Sequence, residues 1–136
     1  MENTAFILSF MTLGVLLAST LVFWAQDRAH AKTAYLFSVV SLPMIYLGFT
    51  VYSGENQALL PEFIYGLPYF FAPMLLLIKS ERLCLIVTAV LWFSHGFYDA
   101  FHHLLFDTQH VPYWYILTCI GFDLFIGGYL LLAAYT

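Results

Sequence analysis

Ala5 to Trp24 contains no ionisable side chain, and an apolar run of about 20 residues is the length of helix that crosses the hydrocarbon core of a bilayer. The pattern recurs four times. Spans are predicted over residues 5–24, 34–51, 60–78, 83–105 and 112–135, with most of the charged side chains in the intervening loops. The chain is 62% hydrophobic and 9% charged, against the roughly 25% charged residues of a soluble domain. The expected fold is therefore all-α: residues 1–136 form one polytopic membrane domain, a bundle of five transmembrane helices. Ala29-His30-Ala31 mimics a small-x-small cleavage site, but Glu2 stands where a signal peptide carries basic residues and the apolar run is too long for one. The first span is expected to stay in the mature chain.

The loop cations give a direction. Arg28 and Lys32 fall in the first loop and Lys79 and Arg82 in the third, while the second and fourth loops have neither Lys nor Arg. By the positive-inside bias this places the amino terminus outside and the carboxy terminus inside. Glu2, Glu55, Asp107 and His110 then gather on the extracytoplasmic side, and His30 reads as a solvated loop residue. The setting expected is a cell membrane crossed several times, the inner membrane in a bacterium. The net charge of −4 comes without a basic run, so no nucleic-acid partner is expected. The bilayer itself is the expected partner, and a homo-oligomer stays open.

Prolines mark the interior of two spans. Pro43 is expected to bend the second, and Pro61, Pro68 and Pro73 with Gly66 interrupt the third. Each interior proline removes a backbone hydrogen bond, which a membrane tolerates where neighbouring helices or polar groups take up the freed carbonyl. The third span is thus expected to pack inside the bundle or line a cavity.

The fourth span carries the chemistry. Trp92 to His103 places His95, Asp99, His102 and His103 in an apolar helix. At 100° per residue they fall near 0°, 40°, −20° and 80°, a stripe roughly 100° wide. An ionisable side chain at mid-bilayer costs about 3 kcal/mol even on the lenient insertion scale, so the stripe must face protein or water and is read as a site. Depth supplies a partner. Asp123 lies roughly 16 Å into the fifth helix from Pro112 and His95 roughly 15 Å below the outer end of the fourth, at 1.5 Å per residue. A short loop makes these helices antiparallel neighbours, so His95 is expected to face Asp123, with Cys119 one turn above; Gly127 and Gly128 allow a close contact further in. Cys84 and Cys119 differ too much in depth for a disulfide.

Four readings of these residues stay open. One is a hydrogen-bonded polar core without catalysis. A second is a metal site, with His95, Asp99, His102 and His103 as ligands and Glu62 and Asp123 beside them as the catalytic carboxylates. Zinc or iron suits such a set, and a metal-activated water would point to hydrolysis of an ester or amide in a lipid-like substrate. A third is a His/Asp relay for protons or small ions. Haem or another ligand is the fourth. Tyr65, Tyr69, Phe70, Phe71, Trp92, Phe97 and Tyr98 read as packing and interfacial aromatics or as the wall of a lipid-like substrate pocket.

Asp99-Ala100-Phe101-His102-His103 differs from the H-x-x-H-H box of membrane desaturases by Asp99 in the first position, and five histidines are too few for their di-iron sites. Alkaline-ceramidase-like hydrolases hold zinc by His and Asp between helices but have seven spans. The His95 to His103 pattern H-x-x-x-D-x-x-H-H followed by Phe122-Asp123 resembles small bacterial integral membrane proteins over the last two helices. That resemblance implies a membrane bundle and no particular activity.

Overall fold

A computed structural model describes residues 3–26, 28, 31–107 and 109–136. Glu2 and His30, assigned above to the amino-terminal tail and first loop, lie outside the described residues. The described residues form helices α1 (Thr4–Ala25), α2 (Ala31–Ser53), α3 (Leu59–Phe70), α4 (Glu81–Leu105) and α5 (Tyr113–Tyr135), with short 3₁₀ segments at Asn56–Ala58 and Ala72–Leu77. Counting α3 with its two 3₁₀ flanks, five segments are long and apolar enough to cross a membrane. The chain is a multi-pass membrane protein on that criterion.

Helix boundaries follow local chemistry. The Asn3 side chain accepts a hydrogen bond from the Ala5 amide at 3.1 Å to start α1, and Ser80 caps α4 through the Leu83 amide at 3.3 Å. Pro112 sits one residue before α5 in extended backbone, so the proline precedes the helix rather than opening it. The third span departs from a single helix. Its α-helical part tolerates Pro68 but ends at Phe70, and Pro73 falls at the start of the 3₁₀ segment that carries the chain to Leu77. Pro73 has no N–H to continue the ladder and disfavours helical backbone at Ala72, so the break falls there.

Successive helices alternate in direction. One end of the bundle therefore carries residues 53–58 and 106–112, here called the loop end, and the tail of α5 lies at the other. α5 is central, packed against both α4 and α1, while α2 pairs with α3. Small residues permit these approaches. A Cβ on Gly14 would strike the Thr118 carbonyl oxygen and one on Gly121 the Met11 carbonyl oxygen, so the α1–α5 seam is backbone against backbone. Gly66 brings α3 onto Pro43 of α2. Further along α5, Gly127 lies under the Phe93 ring, whereas Gly128 borders open space. α1 carries no ionisable residue and covers one side, as its sequence implies.

The interior is divided. Toward the tail end, Leu36, Val39, Ala89, Trp92, Ile126 and Leu130 belong to one continuous apolar core. Toward the loop end the apolar cluster shrinks to Tyr46, Val111 and Ile116, and buried polar groups take its place.

Candidate functional site

His95, Asp99 and His102 sit on one face of α4, each at most 3% exposed, because positions 95, 99 and 102 stack along one side of a helix. His103 does not join them. It is exposed and belongs to neither group below: at the edge of the stripe, it points about 40° beyond Asp99 and about 100° away from His102. The stripe itself is shared between two groups, with His95 and Asp99 in one and His102 in the other.

The first group is His95, Asp99 and Asp123. His95 Nδ1 lies 2.7 Å from Asp123 Oδ2 and 3.3 Å from Asp99 Oδ2, so the facing of α4 and α5 expected from depth is realised. The Tyr46 hydroxyl of α2 donates to Asp99 Oδ1, and the Tyr46 and Tyr69 rings stand edge-on to the imidazole. Two carboxylates meet one imidazole, and the count of donors falls short. Asp99 Oδ2 and Asp123 Oδ1, both buried, receive no hydrogen bond among the described residues.

The second group is Glu62 of α3, His102 of α4 and His110 of the α4–α5 connection, all buried. His102 Nε2 and His110 Nε2 each lie 2.7 Å from the same oxygen, Glu62 Oε1. The other oxygen, Oε2, accepts the Tyr98 hydroxyl at 2.5 Å. Phe106 stacks on His102 with ring centroids 4.6 Å apart. Here every carboxylate oxygen has a donor.

Each group offers one ligand atom per residue within 4.8 Å of the others, so each can hold a metal ion. A cavity of about 10 Å³ lies between them, lined by Glu62, Tyr46, Tyr69, His95 and Tyr98. That is near the smallest volume that admits one water. A second cavity, about 280 Å³, runs among α1, α2, α4 and α5 past Leu17, Leu42, Ile45, Trp92 and Phe122 to Asp123. Of the aromatics expected to wall a pocket, Trp92 lines this cavity and Tyr65, Tyr69 and Tyr98 the small one, whereas Phe71 and Phe97 face outward. Cys119 lines the larger cavity as a free thiol, and Cys84 is free in the apolar core.

One member of these groups and one hydrogen-bond partner are not singled out by the sequence. His110 reads as a loop histidine, and its only signal is its place two residues before the proline that precedes α5. Tyr46 is one of ten tyrosines, and its selection depends on the α2–α4 packing. No protein-family model matches the chain, and neither a curated protein nor a solved structure does.

Proposed function

We propose that His95, Asp99 and Asp123 hold a divalent metal ion, with zinc as first choice and iron as second, and that the protein hydrolyses an ester or amide in a lipid-like substrate. The observation that supports this most is the shortage of donors: two carboxylates meet at the same imidazole nitrogen, His95 Nδ1, in an apolar slab, with two buried oxygens lacking a hydrogen bond. Buried carboxylates without compensation are among the costliest features a membrane interior can carry. A bound cation removes the deficit, and one imidazole nitrogen with carboxylate oxygens is a set that zinc and iron accept. Held there, such an ion would supply Lewis acidity and lower the pKa of a bound water toward neutral pH.

The remaining roles belong to the chain. Tyr46 orients Asp99 by its hydrogen bond, as partners of ligating carboxylates commonly do. The apolar cavity takes an aliphatic chain and brings its polar end to Asp123. In the orientation set by the loop cations the loop end faces outside, so a water-soluble product leaves on that side.

A proton relay across the bilayer fits less well. The titratable chain runs from His110 to Asp123 and stops at the apolar layer of Trp92, Ala89, Ile126 and Leu130. The test combines metal and turnover. The protein purified in detergent without chelator should carry zinc that the His95→Ala and Asp123→Asn variants lack, and should cleave a long-chain p-nitrophenyl ester only with that zinc. Zinc content unchanged by both substitutions would overturn the site; bound zinc with no cleavage of ester or amide amphiphiles would overturn the hydrolase.

A further inference from the structure

We infer that Glu62, His102 and His110 form a second metal-ion site, of the two-imidazole, one-carboxylate kind, at the loop end of the bundle. The inference does not rest on the first site holding an ion. Three observations carry it.

The first is convergence. Two imidazoles on different segments, one on α4 and one in the following connection, bring Nε2 to the same oxygen, Glu62 Oε1, at 2.7 Å each. Simple hydrogen bonding could distribute them over both oxygens, yet Oε2 is given to Tyr98. The three ligand atoms thus lie within 4.8 Å of one another, and all three side chains are at most 4% exposed.

The second is donor type. Two neutral imidazoles and one carboxylate are the set that zinc and ferrous iron take in sites with an open position. Magnesium and calcium prefer oxygen alone. Metal binding needs each imidazole with a lone pair on Nε2 and its proton on Nδ1, whereas the hydrogen-bonded form carries the proton on Nε2. Tyr98 holds Glu62 in place in both.

The third is access and space. His110 lies outside the membrane-spanning helices, so a hydrated ion arrives without crossing the apolar layer. The water-sized cavity touches Glu62 and reaches His95 of the other group, which puts room for a solvent ligand beside the carboxylate. Because the empty form is fully hydrogen-bonded, this site exchanges its ion more readily than the deeper one. It is filled by added zinc and emptied first by chelator.

The experiment is a zinc titration of the full chain in detergent after dialysis against chelator. The His110→Ala and His102→Ala variants should bind one equivalent fewer than wild type and the His103→Ala variant as many as wild type, which binds two equivalents where the inner site is also filled and one where it is not. In an Asp123→Asn background, which leaves only the outer group, X-ray absorption of the bound zinc should show two imidazole nitrogens. Should His110→Ala fail to fold, Glu62→Gln preserves a hydrogen-bond acceptor and should still bind one equivalent fewer than wild type. The inference is overturned if wild type binds at most one equivalent and His102→Ala and His110→Ala leave it in place, or if the Asp123→Asn protein binds none.

Discussion

The two histidine–carboxylate groups are built from the same residue types within a few turns of α4, yet their donor counts are opposite. Around Glu62, three donors serve two oxygens; around Asp99 and Asp123, Tyr46 and His95 serve four oxygens and leave two bare. The outer group stands as a hydrogen-bonded cluster, whereas the inner one has two buried oxygens without a hydrogen-bond donor, the deficit that the proposed ion would meet. The difference shows why burial of ionisable residues alone does not identify a site. What matters is whether the surrounding donors balance the acceptors.

The contrast is broken or sharpened most by stability measurements in chelator. Glu62→Leu strands three donors and should cost about 3–5 kcal/mol, the range for breaking a buried charge-assisted cluster. Asp123→Leu removes the nearer acceptor of the His95 imidazole N–H, leaving it Asp99 Oδ2 at 3.3 Å, but also removes an orphan oxygen. The two effects oppose each other, so the net change should be about 1 kcal/mol. Thermal or denaturant unfolding in detergent reads both, and equal losses would contradict the donor count.

Tyr46→Phe comes next, because it removes the hydroxyl that orients Asp99. Zinc affinity of the inner site should fall about 10–100-fold, the usual effect of losing a partner of a ligand, while the outer site keeps its affinity. A competition titration with a chromophoric chelator measures this; an unchanged inner affinity would count against Asp99 as a ligand. Filling the large cavity with Ile45→Trp should lower turnover of long-chain esters more than that of short-chain ones and leave zinc content alone. Loss of both in parallel would mean the cavity does not take the chain. The smallest effect belongs to His103→Ala, which should leave stability, zinc content and turnover within error, and any loss of zinc would return His103 to the site.

Much of this arrangement is visible in the sequence because membranes impose strict rules. Apolar runs of spanning length give five segments, and helical spacing with depth brings His95 to Asp123. The division of the stripe is not visible. His102 lies only one turn from Asp99, and angle alone leaves open whether its ring turns toward Asp99 or toward α3; the choice depends on Gly66 seating α3 against Pro43, which brings Glu62 to the level of His102. His110 escapes for a related reason, since periodicity describes helices and says nothing of a side chain in a loop. The third span shows a milder gap: its prolines announce interruption, but whether Pro68 or Pro73 ends the α-helix depends on packing.

The most direct test of the inner metal site is X-ray absorption at the zinc edge on protein purified without added metal or chelator, so that the more exchangeable outer site contributes least. The expected result is zinc bound by one imidazole nitrogen and oxygen ligands at about 2.0–2.2 Å, with the signal lost in Asp123→Asn. Zinc and iron both absent from the purified protein and not taken up by the inner site on addition, or zinc with the same ligands in Asp123→Asn, would contradict it.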